Sequence, residues 1–165
     1  MKIKLIKTMF VALAFASSLA YSSAFAQTKL RYAHVGVANA PQTIYADEVA
    51  KLVKERTSGR IEIQVFPNSQ LGGVGEMVDG IKAGAIAIGH HDFASLGKIL
   101  PATAVFNTPF VYRDPEHSLR ATDSRNSKAL QEINKQLVDK GGMRIVGSFF
   151  QGTRQLTSKE KVLSP

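Results

Sequence analysis

The sequence contains no cysteine and no tryptophan among its 165 residues. Without cysteine the chain cannot form a disulfide-stapled mini-protein, cannot supply the thiolates of a zinc ribbon and cannot use a thiol nucleophile. Long hydrophobic runs are also missing. The apolar stretch near the N-terminus is too short for a stable transmembrane helix, and no later window reaches the ~18 apolar residues that such a helix needs.

The N-terminus has the composition of a secretory signal peptide. Lys2, Lys4 and Lys7 form a basic region, and an apolar run follows from Met9 to Ala20. The sequence Ala24-Phe25-Ala26 then places small residues at the −3 and −1 positions of a cleavage site. The pattern predicts that residues 1–26 are removed on export, and that the remaining chain is a soluble protein of a bacterial periplasm.

The charge balance is basic before and after this cleavage. The full chain has a formal net charge of +8, and removing residues 1–26 takes away three lysines and no acidic residue, which leaves +5. A basic exported surface suits anionic small molecules at least as well as nucleic acid. The composition therefore argues against a cytoplasmic DNA-binding protein, and no nucleic-acid partner is expected.

Hydrophobic periodicity predicts a βαβαβ order in the first part of the chain. Alternating or continuous apolar residues predict strands, and apolar residues with helical spacing predict helices that end at glycine. The predicted strands are 29–35, 60–66 and 85–89, and the predicted helices run from Pro41 to Ser58-Gly59 and from Val74 to Gly84. This order implies a mostly parallel sheet with right-handed crossovers and flanking helices, an α/β fold.

The second part of the chain has less regular patterns. Prolines and a glycine within residues 93–112 predict short turns and loop, and Asp114 followed by proline predicts the start of a helix. A further apolar stripe predicts a helix over 127–139 that ends at Gly141-Gly142. Residues 143–150 are predicted to form another strand, which continues in extended form over 151–157.

Candidate binding residues follow the predicted strands, because ligands of open parallel sheets bind beyond the carboxyl ends of the strands. Three segments lie there: 35–40, 70–75 and His90-His91-Asp92. Glycines at 72, 73 and 75 leave the amides of the following helix uncovered for an anion, although two glycines before a helix are also typical of a tight turn. No Lys-Ser/Thr pair follows them, which excludes a nucleotide P-loop.

The run His90-His91-Asp92 allows a metal-site interpretation or a plainer one. Adjacent side chains of an extended chain point to opposite faces, so only His90 and Asp92 can share a face. Two ligands without a third make a poor metal site, and the preferred interpretation is a polar rim of a cleft; no metal or cofactor is predicted. The chain has no G-x-S-x-G motif, so hydrolase activity is not expected.

Arg154 lies in the sequence Gln151-Gly152-Thr153-Arg154-Gln155. A guanidinium can form two parallel charge-assisted hydrogen bonds to a carboxylate, which lysine cannot reproduce. Gly152 would allow a ligand or another backbone to approach closely. From the residues alone, a solvated strand position is the favoured interpretation of Arg154.

Five segments, in this order, resemble the periplasmic substrate-binding subunit of TRAP transporters (tripartite ATP-independent periplasmic transporters). The segments are Leu30–His34, Gly59–Gly72, Gly84–Ile86, Ala104–Val111 and Gln151–Arg154, the last followed by Leu156-Thr157-Ser158. The second, with the sequence GRIEIQVFPNSQLG, carries the most specific motif.

The resemblance implies a type II periplasmic-binding-protein-like fold in which two α/β lobes close on an organic acid. Residues 27–148 would form the incomplete first lobe, and 149–165 the crossover strand and the start of a second lobe that is largely missing. Such a subunit is not an enzyme. It captures a carboxylate, commonly a C4-dicarboxylate, and delivers it to the TRAP membrane permease, which is driven by a sodium gradient.

The same resemblance implies a set of ligand-proximal residues: Arg154, Asp92, His91, His34, Asn39 and Gln151. The family's main carboxylate-fixing arginine would lie downstream of Ser164-Pro165. The sequence therefore predicts a truncated form that binds its ligand weakly or not at all. A self-sufficient exported α/β domain that acts through protein contacts is the alternative.

Overall fold

A computed structural model describes residues 27–152 and 158–160. The predicted signal peptide, residues 1–26, lies outside the described residues. So does the predicted continuation of the last strand over 153–157.

The described residues contain a three-stranded parallel sheet, as the sequence predicts. Strand β1 (Thr28–His34) lies in the centre, with β2 (Ile61–Phe66) on one side and β3 (Ile88–His90) on the other. The register between β1 and β2 runs from Thr28 opposite Ile61 to Ala33 opposite Phe66. Strand β3 pairs only with the carboxyl end of β1, where His34 lies opposite His90.

Two helices cover opposite faces of the sheet. Helix α1 (Pro41–Arg56) packs on one face, where Tyr32, Ala46 and Ile63 form a buried cluster. Helix α2 (Val74–Lys82) packs on the other, where Ala33, Met77 and Ile86 are buried together. Successive strand residues point to opposite faces, so Tyr32 and Ala33 of one strand contribute to two different core clusters.

The rest of the chain packs beside α2. Two short 3-10 helices, Phe93–Lys98 and Pro101–Asn107, occupy the region predicted as turns and loop. Helix α3 (Pro115–Ala121) begins after Asp114, whose carboxylate accepts the amide of His117 as predicted for an N-cap. The largest core cluster contains side chains of both 3-10 helices, α2 and α4 (Lys128–Gly141).

Helix α4 confirms the predicted boundaries closely. The hydroxyl of Ser127 accepts the amide of Leu130 at the N-terminus, and Gly142 ends the helix with φ +64°. Leu130 and Leu137 are fully buried. None of the helices among the described residues is long and apolar enough to span a bilayer.

Two strand predictions are corrected by the structure. The third strand is shorter and later than the predicted 85–89, because the amides of Ala85 and Ile86 both donate to the carbonyl of Gly80 and so close the end of α2. The ladder with β1 begins only after this turn, where the amide of Ala87 donates to Arg31.

The predicted strand over 143–150 is wrong. Met143 and Ile145 are buried and Arg144 and Val146 are exposed, so the alternation of side chains is present. The backbone of this segment, however, is not paired with any strand of the described sheet. The amide and carbonyl of Ile145 are instead bonded by the side chain of Asn134. Alternation of buried residues predicted the side-chain directions but not a backbone partner.

Candidate functional site

A cavity of about 640 Å³ lies beside β3, between the strand and the segment 142–149. Gln42 and Tyr45 of α1 line it, as do Val74 and Ile81 of α2. Its volume is within the range of small-molecule pockets. His90, the last residue of β3, and the two residues that follow it line the cavity, next to the place where the sequence predicts a ligand.

Aromatic rings form one wall of this cavity. Tyr32 and His90 lie on the same sheet face with ring centroids 6.1 Å apart, and His34 lies 6.3 Å from His90. The ring of Phe149 meets His90 edge-on at 4.7 Å and stacks on Tyr45 at 5.2 Å. The β1–β3 register brings the first three rings together, and the segment after α4 adds Phe149.

The Tyr32 hydroxyl and His90 are linked by a hydrogen bond. The distance between Tyr32 Oη and His90 Nδ1 is 3.1 Å. Burial lowers the pKa of His90 to about 4, and the nearby rings of His34 and His91 act in the same direction. Burial, with a smaller effect of Tyr45, raises the pKa of Tyr32. Both side chains are therefore neutral at ordinary pH.

His34, a predicted ligand residue, is enclosed rather than exposed to the cavity. It is the last residue of β1, it is fully buried, and neither ring nitrogen has a partner among the described residues. Burial lowers its pKa, and Asp47 opposes this shift. Gly36 makes the enclosure possible, because a Cβ there would come within 3.2 Å of His34 Nδ1.

His91 and Asp92, which the sequence predicts as a polar rim, both line the cavity, and their part in binding stays a prediction. His91 Nδ1 donates to the carbonyl of Asp92 at 2.9 Å. One carboxylate oxygen of Asp92 accepts both the amide and the hydroxyl of Ser95, at 2.9 and 2.7 Å. Asp92 thus caps the first 3-10 helix, which leaves its second oxygen for other contacts.

The remaining predicted ligand residues are spread more widely. Gln151 is exposed and lines the cavity. Asn39 is exposed in the loop after β1, has φ +63° and does not line the cavity. Arg154 lies outside the described residues, so the prediction made for it stays a prediction.

The N-terminus of α2 carries its own anion. The carboxylate of Glu76 accepts the amide of Gly73, at the position where the sequence allowed an external anion. Gly72 has φ +102°, and a Cβ there would lie 2.7 Å from that of Glu76. These glycines therefore serve a tight turn and an internal cap, the second of the two interpretations that the sequence left open.

The metal interpretation of His90-His91-Asp92 gains no support. Within the described residues there is no group of three or more histidine or acidic side chains that could hold a metal ion. One ring nitrogen of each histidine is already engaged in a hydrogen bond: His90 Nδ1 with the Tyr32 hydroxyl, and His91 Nδ1 with the carbonyl of Asp92.

Sequence reasoning did not assign the aromatic wall to the site. Tyr32 was predicted only as an apolar strand residue, Tyr45 only as part of the buried stripe of α1, and Phe149 only as part of a strand. Tyr45 is in fact 43% exposed. The available signal was the two-residue spacing of Tyr32 and His34, which places both rings on one sheet face.

A comparison with protein-family models finds one match, over residues 32–165, described as the bacterial extracellular solute-binding protein family 7 (DctP). Among curated proteins, the 2,3-diketo-L-gulonate-binding periplasmic protein YiaO of Escherichia coli K12 is 28% identical over 148 residues. That alignment covers 87% of this chain and 43% of YiaO.

Solved structures of TRAP periplasmic solute-binding proteins are similar to the described fold. The protein from Sulfurospirillum deleyianum with bound succinate gives a TM-score of 0.61 at 33% identity, covering 70% of this chain and 36% of that one. The protein from Desulfovibrio desulfuricans with bound sn-glycerol-3-phosphate gives 0.66 at 29% identity, covering 73% and 37%. The chain spans less than half the length of these relatives.

Proposed function

This chain belongs to the DctP family of bacterial extracellular solute-binding proteins, family 7, and from that premise we propose that it serves the capture of a small organic acid in the periplasm. The acid would be passed to the membrane permease of a TRAP transporter. The role is binding and delivery, without catalysis. A carboxylate such as a C4-dicarboxylate is the proposed ligand class.

The observation that carries this proposal is the position of the cavity. It is lined by His90, the last residue of β3, and by the residues that follow, close to the carboxyl edge where α/β folds bind ligands. Its rim carries His91, Asp92 and Gln151. Similar proteins were solved with succinate and with sn-glycerol-3-phosphate, both of which are small anions. The chain that remains after the predicted cleavage has a net charge of +5, which favours the approach of such anions.

The proposed carboxylate contact is Arg154. Its guanidinium matches a carboxylate with two parallel hydrogen bonds, and Gln151, three residues earlier, lines the cavity. Arg144 is an exposed cation on the same cavity. His91, Asp92, His34 and Asn39 are proposed to shape this side of the cleft, with His34 acting from behind the wall.

In this proposal the described residues would form one wall of a cleft. Since this chain spans less than half of its relatives, the proposal expects weak binding by the 165-residue chain itself. A clamp gains affinity when a second surface closes on the ligand and excludes water. The test must therefore detect complexes with dissociation constants in the millimolar range.

Chemical-shift mapping by NMR meets this requirement. The 15N-labelled chain would be titrated with succinate, and the amides of His91, Gln151 and Arg144 are expected to shift in a saturable manner. Succinamide, which has the same length and no charge, is the control and should give smaller shifts. Absence of shifts with succinate, L-gulonate and glycerol-3-phosphate alike, or equal shifts with succinamide, would overturn the proposal.

Export can be tested separately. The chain would be expressed with its own N-terminus in a Gram-negative host. It is expected in the periplasmic fraction, with the mass of a chain that begins at Gln27. Recovery of the uncleaved chain from the cytoplasm would contradict the proposed location.

A further inference from the structure

The pair Tyr32 and His90 points to the kind of oxygen that this wall can recognise, and the inference rests on the proposed function. Tyr32 is 4% exposed, so its hydroxyl hydrogen needs an acceptor within the protein. Among the described residues its partner is His90 Nδ1, at 3.1 Å. Burial keeps the phenol protonated, so it has a hydrogen to donate, and His90 Nδ1 is the acceptor that it meets among the described residues. We therefore assign the hydroxyl as the donor in this bond.

With the Tyr32 hydroxyl as donor, this bond sets the tautomer of His90. A neutral imidazole has one N–H donor and one acceptor nitrogen. Because Nδ1 accepts from Tyr32, the hydrogen is on Nε2. Nε2 is then the nitrogen of His90 that can donate. A second hydrogen bond sets the donor nitrogen of other functional histidines in the same way.

The donating nitrogen of His90 is open to the cavity. His90 lines the cavity and is only partly buried. His90 Nε2 has no hydrogen-bond partner among the described residues. It is not one of the fully enclosed side-chain nitrogens without a partner there, which are both from His34. A ligand oxygen that enters beside β3 can reach this N–H.

The ring offers a donor without charge. Its ring neighbours are His34, Tyr45 and Phe149, none of which is cationic at neutral pH. Carboxylates bind best to charged donors such as guanidinium, whereas a neutral N–H is well matched to a hydroxyl oxygen. The two kinds of donor on the cavity, His90 and the exposed Arg144, suit the two kinds of oxygen found in a hydroxy acid.

We propose that Tyr32 holds His90 in the Nε2–H tautomer and that this N–H donates to a hydroxyl oxygen of the bound solute, so that this wall selects hydroxylated acids over unsubstituted ones. His90 would contact the ligand, and Tyr32 would act as a positioning residue. A single neutral hydrogen bond contributes about 0.5–1.5 kcal/mol. The expected preference is therefore about 2- to 10-fold in the dissociation constant.

The experiment has a ligand-free readout and a binding readout on the full chain. In the free protein, side-chain 15N shifts of His90 should show protonated Nε2 and unprotonated Nδ1, and Tyr32→Phe should convert this pattern into a mixture of tautomers. L-malate and succinate, which differ by one hydroxyl, are then titrated separately. Malate should bind more tightly, and His90→Leu should abolish the difference while His90→Gln, which keeps a neutral donor, should restore part of it.

The control is Tyr112→Phe, which removes another partly buried hydroxyl, bonded to the carbonyl of Phe106, from outside the cavity. It should leave the tautomer and the preference unchanged. An Nδ1–H tautomer of His90, or equal binding of the two acids while cavity amides respond to both, overturns this inference and leaves the proposed function standing. If no cavity amide responds to either acid, the proposed function fails with it.

Discussion

Asn134 of α4 bonds both backbone groups of Ile145. Its Nδ2 donates to the carbonyl of Ile145 at 2.9 Å, and the amide of Ile145 donates to its Oδ1 at 2.7 Å. Asn134 and Ile145 are 5% and 9% exposed. One side chain therefore satisfies the pair of backbone groups that a neighbouring strand would satisfy in a sheet. It also holds the segment 142–149, which lines the cavity, against the core.

Replacing Asn134 with alanine should destabilise the chain strongly. The substitution leaves the buried amide and carbonyl of Ile145 without partners, and each buried polar group left unpaired costs about 1–3 kcal/mol. The expected loss in the free energy of unfolding is about 2–4 kcal/mol, measured by urea denaturation of the full chain.

Gln136→Ala is the matched control, because Gln136 lies on the same helix and its side chain, among the described residues, bonds only the exposed Glu132, at 3.3 Å. Its effect should stay within about 0.5 kcal/mol. A loss for Asn134→Ala no larger than that of the control would show that the backbone of Ile145 finds other partners in solution.

The first half of the fold could be predicted from the sequence because its signals are local. The apolar stripe of α1, the alternation in β2 and the glycine after each helix are set by neighbouring residues. The end of α4 at Gly142 follows in the same way, since a left-handed residue is needed there.

The failed strand at 143–150 shows where such reasoning stops. Alternating burial requires only that one side of an extended segment faces the core, which α4 provides through its buried leucines. A strand also needs a second backbone at hydrogen-bonding distance, and nothing in the local sequence states whether that partner is present. The side chain of Asn134 acts as the substitute, and its role could not be read from its position in a helix.

The pH dependence of stability should report the state of His90. Burial lowers the pKa of the folded ring from 6.5 to about 4, so the unfolded chain takes up a proton at a higher pH than the folded chain. The stabilisation by the neutral ring is fully present above pH 6.5 and is lost as the pH falls toward 4. The free energy of unfolding should decrease over this window by up to about 3 kcal/mol.

His90→Gln should flatten this part of the profile, measured as urea midpoints between pH 4 and pH 7. His34, whose pKa is lowered in the same direction by burial, leaves a residual slope. The control is His117→Gln, which removes an imidazole from α3, outside the ring cluster. Equal flattening in both variants would contradict the assignment of the slope to His90.

Asp92 allows its structural and binding roles to be separated. Asp92→Ala removes the acceptor of the Ser95 amide and should cost about 1 kcal/mol of stability. Asp92→Asn keeps an oxygen at that position and should retain most of the cap, while removing a negative charge from the cavity rim.

The Asn variant is then expected to bind succinate slightly more tightly, because a carboxylate repels an anionic ligand. The measurement is NMR titration of both variants beside a thermal unfolding curve. Weaker binding by Asp92→Asn at unchanged stability would instead show that the carboxylate accepts a hydrogen bond from the ligand.

The candidate site was predictable at its rim and not at its wall. His91 and Asp92 were expected there because polar residues that follow strands gather at one edge of a parallel sheet, whereas Gln151 was expected only from the family resemblance. The ring cluster depends on the register between β1 and β3, which places His34 opposite His90, and on Phe149 arriving from a segment far along the chain. Register and long-range packing are set by the whole core, so the single sequence did not reveal them.

Arg154 is expected to govern the charge selectivity of acid binding. If its guanidinium forms two hydrogen bonds to a carboxylate, Arg154→Lys keeps the charge but loses the paired geometry. The lysine variant should therefore weaken succinate binding by about 10-fold, as expected for loss of a charge-assisted bond of about 1.5 kcal/mol. Arg125→Lys, at an exposed arginine paired with Asp123, is the control and should not change it. The measurement is NMR titration of both variants with succinate. Equal succinate affinities of Arg154→Lys and Arg125→Lys would show that Arg154 is a solvated residue without a ligand contact, and Arg144 would be the cavity cation to test next.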